Sequence, residues 1–346
     1  MDIPRGARGC PAAHGTPAFK MVSCRRGRPL LCHRTSLVSR AAAGQWTAHS
    51  QTGTMREMDQ GGTSDWLRKH IPAIDLPFDG NCRHASGLEL PIIVINLPRR
   101  TDRWEMLCRR MHAAGLTRLV KAPAIDGLCL SEAEIAVLTG SHGTTIDLAP
   151  HSHLALTRPA VGCFLSHLAI WCWLIDAKLP RALILEDDAA PVAAYTAERF
   201  QSALASVPVD TGLVFPGLII MGGLADRPAS SLARVYYFNG TFAYLITPTA
   251  CQTLLRYLLP LRSHIDHQLS QVLMEQRHVL PAYYTNPQFF APDWSLRSDC
   301  YVPLTDESVA DQELDRVIQS NRKILLEEGR PLLPDPASSG SRSHAA

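Results

Sequence analysis

Three consecutive carboxylates end a strongly apolar run of this sequence. They are Glu186, Asp187 and Asp188. The preceding run, Ala182–Leu185, has the length and composition of a strand buried on both faces. Like charges this close repel one another, and a hard divalent cation held by carboxylate oxygens relieves that repulsion. The cluster therefore indicates a metal or ligand site. A solvated turn or the start of a helix is the alternative, because Asp is common at helix N-termini.

The strand also predicts how the acids are arranged. Side chains alternate along an extended strand, so we expect Glu186 and Asp188 on one face and Asp187 on the other. In open α/β sheets the carboxyl ends of the strands form the edge where ligands bind. A sheet of that kind is therefore the element that must position the cluster.

The first part of the folded region reads as a βαβ unit. Leu90–Leu97 predicts a strand, and a basic turn follows it. A helix then runs to about Ala114, with Thr101 or Asp102 as its expected N-cap. Arg118–Ala122 predicts the next strand. Strand, helix and strand in this order are typical of a parallel sheet.

The rest of the chain continues this alternation. We predict a capping box at Ser131 and Glu134 and a long loop over residues 139–160. Further helices are predicted over residues 162–175, 195–206, 248–258, from 264 and over 306–327, with strands over 213–221 and 241–247. The predicted fold class is α/β, a Rossmann-related single domain with a mostly parallel central sheet flanked by helices. We place this domain at residues 89–328, after a disordered or irregular extension (1–88) and before a disordered tail (329–346).

The amino-acid composition argues against several classes of function. The net charge of +2 argues against nucleic-acid binding driven by bulk charge. The ten cysteines are scattered and include no C-x-x-C, so we expect reduced thiols and a cytoplasmic enzyme. The uncharged stretch over residues 211–225 contains Pro216 and several glycines, and it is shorter than the roughly 20 residues that span a bilayer.

The N-terminal residues are basic and contain few acids. Residues 1 to about 55 hold many arginines and one acid, Asp2. Disorder without function is our prediction for them; a transit peptide and translated upstream sequence are the alternatives. Their charge, with that of the first βα turn, also suggests peripheral contact with an anionic membrane at its inner face. The oligomeric state does not follow from the sequence.

Several short motifs, in order, resemble one enzyme family. Ile92–Arg103 is similar to the start of glycosyltransferase family 25, the lipopolysaccharide-type glycosyltransferases related to collagen galactosyltransferases. Further segments match in the expected order: 124–127, 162–168, 182–189, 244–247 and 265–269. The resemblance implies a GT-A-type fold, a UDP-sugar donor, inversion at the anomeric carbon, and a hexose such as galactose or glucose. The implied acceptor is a saccharide or glycolipid such as lipooligosaccharide.

The chemistry of such a transfer suggests roles for individual residues. A departing diphosphate needs positive charge, which Mn²⁺ or Mg²⁺ supplies. The Glu186-x-Asp188 pair is similar to the DxD motif of GT-A enzymes, and by that analogy Asp188 would bind the metal directly, while Glu186 or Asp187 would contact the ribose or the metal's waters. The first acid here is Glu186 instead of Asp, which leaves the division of roles open. We predict substrate contacts from the first βα turn and its neighbours: Asn96, Arg99, Arg100, Asp102, Arg103, Asp126, His167, Glu186 and His267.

An inverting displacement also needs a base for the acceptor hydroxyl. Asp266 is the first candidate, and His267 or an acid of the central cluster such as Asp187 is the alternative. Two other classes of protein stay open. A metal-dependent phosphohydrolase also places acids after a buried strand, although Ala189-Ala190-Pro191 is not its expected continuation. A non-catalytic protein would bind the sugar nucleotide without turnover.

Overall fold

The structure is a computed structural model that describes residues 69–140, 156–220, 231–296 and 298–300. The extension up to residue 68, most of the predicted loop over 139–160, the predicted helix over 306–327 and the C-terminal tail lie outside these residues. The domain boundaries that we predict at 89 and 328 therefore stay predictions.

Nine strands are present in the described residues. In chain order they are β1 (Ile92–Asn96), β2 (Leu119–Pro123), β3 (Ala182–Glu186), β4 (Ala189–Pro191), β5 (Leu213–Ile220), β6 (Leu232–Arg234), β7 (Phe238–Ile246), β8 (Ala282–Thr285) and β9 (Phe290–Pro292). Seven of them form the central sheet in the order β2-β1-β3-β7-β5-β8-β6, and β4 pairs with β9 in a separate two-stranded sheet.

The central sheet is mixed but mostly parallel. Strands β2, β1 and β3 are parallel to one another, and β5 is parallel to β8. Strand β7 lies antiparallel between β3 and β5, and β6 is antiparallel to β8. Five of the seven strands therefore run in one direction, which confirms the predicted α/β class with a mostly parallel central sheet.

Helices cover both faces of the sheet. In chain order they are α1 (Thr101–Ala113), α2 (Glu132–Thr139), α3 (Arg158–Asp176), α4 (Ala197–Ala205), α5 (Pro248–Tyr257) and α6 (Ile265–Glu275). Alternate side chains of β1 lie on opposite faces of the sheet. Ile93 and Ile95 pack with α3, whereas Ile92 and Val94 pack with α1. Burial of both faces explains why β1 and β3 are continuous apolar runs.

Helix α3 is the central helix of the larger core. By length and composition it could cross a membrane, but 67% of its apolar window is buried inside the protein. Its core-facing residues include Phe164 and Trp171, both fully buried. The burial is that of a core helix, as the sequence predicts. The helix begins earlier than predicted, because Thr157 caps it and Pro159 suits its first turn.

The start of α1 differs from the prediction. The N-cap is Arg100, and it makes no side-chain capping bond. Thr101 and Asp102 are inside the helix, and the Asp102 carboxylate instead accepts from the Arg100 guanidinium at 2.8 and 3.0 Å. This bond comes first among the causes that lower the pKa of Asp102 to about 2. By contrast, the predicted capping box of Ser131 and Glu134 is confirmed at α2.

Two glycines bring α3 against the segment that follows β2. A Cβ atom on Gly162 would lie 2.4 Å from the Gly127 nitrogen and 2.5 Å from the Ile125 carbonyl oxygen. One turn later, the Ser166 hydroxyl accepts from the Ile125 amide at 2.8 Å. This close packing holds Asp126, which caps a short 3₁₀ helix at Gly127–Cys129, beside the end of β1.

We expect Gly162→Ala to destabilise the protein. Helix propensity alone favours Ala by about 1 kcal/mol, but overpacking against rigid backbone costs roughly 1–3 kcal/mol or more. The atoms that the new methyl group would meet are backbone atoms of Ile125 and Gly127, which cannot rotate away. Thermal unfolding should show a melting temperature several degrees lower. A melting temperature equal to that of the wild type would contradict the close approach.

Candidate active site at the carboxyl end of the sheet

A cavity opens where β1 and β3 end. The empty space there is about 600 Å³, including the solvent-filled mouth. All three acids of the cluster line the cavity. The predicted alternation of faces is wrong, because β3 ends at Glu186 and the next two acids form the turn into β4. Its remaining charged lining residues are Arg99, Arg103, Asp126 and Asp299.

Asp187 is held by two partners from the first βα unit. One carboxylate oxygen accepts from the Asn96 amide at 2.8 Å, and the other accepts from the Arg103 guanidinium at 2.9 Å. The Arg103 side chain is only 5% exposed, so this ion pair is almost fully desolvated. Burial raises the pKa of Asp187 even though Arg103 and Asn96 oppose that rise. Both oxygens are engaged, which favours a positioning role over the catalytic role that we predict from sequence.

Glu186 presents one oxygen to the protein and the other to the cavity. Its Oε1 accepts from the Thr241 hydroxyl at 2.6 Å and lies 3.4 Å from the His167 Nε2. The side chain is 25% exposed. Burial raises the pKa of this carboxyl, but the contacts with His167 and Thr241 help to outweigh burial, and the pKa lies below its ordinary value. The contacts recorded for this carboxylate in the described residues all go to Oε1, and the residue lines the cavity.

Asp188 carries the clearest sign of a missing partner. Its Oδ1 is buried and has no hydrogen-bond partner within the described part of the chain. Burial and then the charges of Glu186 and Asp187 raise its pKa well above the ordinary value. A buried carboxylate oxygen without a donor is costly. A divalent cation bound by oxygen would remove that cost, so the donor set fits the Mn²⁺ or Mg²⁺ site that the sequence predicts.

The basic turn after β1 forms a cluster of three arginines around one acid. Asp299 accepts from the Arg100 guanidinium at 2.5 Å, and its carboxylate lies 3.4 Å from Arg103 and 3.9 Å from Arg99. Arg99 also pairs with Asp126. Arg100 and Arg103 also each pair with a second acid, Asp102 and Asp187 respectively. Of the substrate contacts that we predict for this turn, Arg99 and Arg103 line the cavity, whereas Arg100 and Asp102 are absent from its described lining.

His167 lies outside the lining of this cavity, unlike the prediction of direct substrate contact. It is fully buried behind Glu186, where its Nδ1 is 2.7 Å from the Tyr244 hydroxyl. The sulfur of Cys163, the Nε2 of His167 and a Glu186 oxygen lie within 4.8 Å of one another, an arrangement that also suits a softer metal ion.

Asp266 and His267 are likewise absent from the described lining of the cavity. The Asp266 carboxylate accepts from the backbone amides of Gly240 and His267, at 2.8 and 2.9 Å, and so joins β7 to the start of α6. The His267 Nδ1 lies 2.6 Å from the Tyr237 hydroxyl. These contacts explain both residues structurally and do not support Asp266 as the base.

Sequence reasoning missed Thr241, Tyr244 and Asp299. Tyr244 and Thr241 belong to β7, whose antiparallel insertion beside β3 has no local sequence signal. Asp299 follows β9 and reaches the cavity through tertiary folding alone. The sequence predicts a strand over 241–247, and residues 244–247 resemble a family motif, but neither signal places that strand beside β3.

Comparison with known proteins finds a family that resembles this region. Residues 89–206 match the family model described as glycosyltransferase family 25 (LPS biosynthesis protein). The matched region contains β1 to β4, and therefore the three acids, the arginine turn and His167.

Three individual proteins illustrate the similarity. Procollagen galactosyltransferase 1 of Danio rerio is 28% identical over 204 residues, which are 56% of this chain and 33% of that protein. Inactive glycosyltransferase 25 family member 3 of Homo sapiens is 25% identical over 277 residues, 71% of this chain and 45% of that protein. The chain thus spans less than half the length of either relative. The solved structure of an apo UDP-glucose pyrophosphorylase aligns over 69% of this chain and 84% of its own, at 8% identity and a TM-score of 0.33, which carries no functional argument.

Proposed function

We propose that this protein is a hexosyltransferase that moves a sugar, most simply galactose, from a UDP-sugar donor to a hydroxyl group of a saccharide acceptor, with inversion. The observation that carries this proposal is the buried Oδ1 of Asp188, which has no hydrogen-bond partner among the described residues and lies near the arginine cluster. An oxygen site for a cation beside a cationic site for an anion matches the two needs of a metal-bound diphosphate.

Each part of the cavity has a role in this proposal. Asp188 and the free oxygen of Glu186 would hold Mn²⁺ or Mg²⁺, which neutralises charge on the leaving diphosphate. Arg99, Arg100 and Arg103 would bind phosphate oxygens by charge-assisted hydrogen bonds. Asp187 positions Arg103 and stays bound to it. We assign the base to neither Asp187 nor Asp266, since the first has both oxygens engaged and the second lies outside the described lining of the cavity.

The acceptor and the place of action are further proposals. The family description names LPS biosynthesis, and the Danio rerio relative is named for procollagen. Lipooligosaccharide with a truncated sugar chain and procollagen are therefore the two acceptors to compare. We place the protein in the cytoplasm, with peripheral contact at an anionic membrane face through its basic leader. Flotation with anionic liposomes tests that contact, and a protein that stays wholly in the soluble fraction would contradict it.

A second candidate function is donor binding without transfer. The relative that aligns with 71% of this chain is named inactive. Incubation with UDP-galactose or UDP-glucose, Mn²⁺ and each acceptor separates the candidates. Release of UDP only when acceptor is present, with a product of inverted anomeric configuration, supports the transferase. Saturable UDP binding with no product supports the binding protein, and release of inorganic phosphate from phosphoesters would instead support a phosphohydrolase.

We expect Asp299→Asn to tighten UDP binding. The Asp299 carboxylate now occupies the arginine cluster and competes with phosphate for it. Partly exposed ion pairs contribute up to about 1 kcal/mol, so calorimetry should show a dissociation constant lower by up to about fivefold. Asp79→Asn is the matched control, because Asp79 pairs with Arg118 away from the cavity. Unchanged or weaker UDP binding by Asp299→Asn would show that Asp299 does not compete with the ligand.

A further inference from the structure

Behind Glu186 lies a buried chain of polar side chains that contact no solvent. The Trp171 Nε1 is 2.9 Å from the Tyr244 hydroxyl, which is 2.7 Å from the His167 Nδ1. The other ring nitrogen of His167 lies 3.4 Å from Glu186 Oε1. Trp171, Tyr244 and His167 are each 0% exposed. Polar groups this deep are costly unless each finds a partner, so the order of donors and acceptors along the chain can be worked out.

The Trp171 indole fixes which atoms donate and which accept along this series of hydrogen bonds. An indole N–H can only donate, so the Tyr244 oxygen accepts from Trp171. Burial raises the pKa of Tyr244 well above its ordinary value, which keeps the phenol protonated. Among the described contacts of that hydroxyl, the acceptor for its proton is His167 Nδ1. Nδ1 is then the unprotonated nitrogen of a neutral imidazole, and Nε2 carries the proton.

The consequence appears at Glu186. An N–H on His167 Nε2 faces Oε1, the same oxygen that accepts from Thr241. The Thr241 hydroxyl is the recorded donor to this oxygen, and the buried His167 Nε2, which has no hydrogen-bond partner in the described residues, lies beside the same oxygen. The 3.4 Å separation is long for a hydrogen bond, and such contacts commonly shorten when a ligand binds.

We propose that Trp171, Tyr244 and His167 are positioning residues that orient Glu186 toward the donor and its metal. The inference rests on the proposed function. It also bears on the nearby Cys163 thiol. The proton on His167 Nε2 uses the lone pair that a metal would need, so Cys163, His167 and Glu186 do not form a separate site for a soft metal ion. Outer partners of this kind typically change metal affinity or activity by about 10–100-fold when removed.

The tautomer of His167 can be measured in the unmodified protein. In ¹H–¹⁵N correlation spectra that show ring nitrogens, we expect an unprotonated signal for Nδ1 and a protonated signal for Nε2. His167→Gln assigns the signals by their disappearance. A protonated Nδ1 with a bare Nε2 would overturn the inference, and so would Co²⁺ binding in the wild type with a thiolate charge-transfer band that Cys163→Ser abolishes.

The effect on ligand binding is tested by Tyr244→Phe. We expect its affinity for UDP in the presence of Mn²⁺ to fall by about 10–100-fold, measured by calorimetry well below the melting temperature. Tyr195→Phe is the matched control, because the Tyr195 hydroxyl is buried and has no hydrogen-bond partner in the described part of the chain. This control should bind within about twofold of the wild type, as expected for a hydroxyl that makes no bond.

A conservative change at His167 separates positioning from packing. His167→Gln can still direct an N–H toward Glu186, so it should keep more affinity than His167→Leu. Equal binding by Tyr244→Phe and the wild type, or equal losses in the two His167 variants, would overturn the inference. Failure of the proposed function has a different signature: the wild type would then not bind UDP with Mn²⁺ at all, whereas the measured tautomer would be unaffected.

Discussion

Asp188→Asn should lower hexosyl transfer by at least about 100-fold, since a metal ion contributes several kcal/mol to stabilising the charge that develops in the transition state. The same change should not unfold the protein. The Oδ1 of Asp188 has no partner in the described residues, and its ionised form is opposed by burial and by two neighbouring acids. We therefore expect the melting temperature without metal to stay the same or rise. The measurements are initial rates with Mn²⁺ and thermal unfolding.

The control for this prediction is Asp266→Asn. Asp266 binds backbone amides outside the described lining of the cavity, so its replacement should lower the rate by less than about tenfold, below the usual contribution of a general base. A loss as large as that of Asp188→Asn would restore Asp266 as the base. Full activity of Asp188→Asn would remove the metal assignment.

Arg103→Met should cost about 3–5 kcal/mol of folding free energy, because it leaves the buried carboxylate of Asp187 without its cation. For a domain of this size that is a melting temperature lower by roughly 6–20 °C. Arg99→Met is the matched control: the Arg99 side chain is 46% exposed, and its loss should cost less than about 1 kcal/mol.

A double variant separates charge from packing at this pair. Adding Asp187→Asn to Arg103→Met removes the uncompensated charge and keeps an oxygen for the Asn96 amide. We expect the double variant to regain much of the lost stability. Equal stability of Arg103→Met and Arg99→Met would show that the pair is solvated and that Asp187 is not held as described.

The sequence was informative wherever a feature is local. The buried strand before the acids, the capping box at α2 and the helices at 158–176 and 248–257 follow from hydrophobic patterning and capping residues, because these depend on neighbours within a few positions. The clustering of the first βα turn with the acids also followed, since parallel strands present their carboxyl ends at one edge.

What the sequence did not predict depends on contacts between distant elements. The chain turns at Asp187–Asp188 into β4, which pairs with β9 about 100 residues later, so the alternation of faces expected for a continuous strand ends at Glu186. The predicted cap of α1 failed because Asp102 binds Arg100 instead. Asp266 looked catalytic from its motif, but its oxygens bind backbone amides. Asp299 had no local signal, because its role exists only where the chain returns to the arginine turn.

The central claim is that the acids at the end of β3 bind a cation together with the donor's diphosphate. Its most direct test is calorimetric titration of UDP into the wild-type protein and into Asp188→Asn, each with and without Mn²⁺. We predict saturable binding by the wild type that requires Mn²⁺ and that is lost in Asp188→Asn. Binding of equal strength in all four titrations, or no binding in any, would contradict the claim.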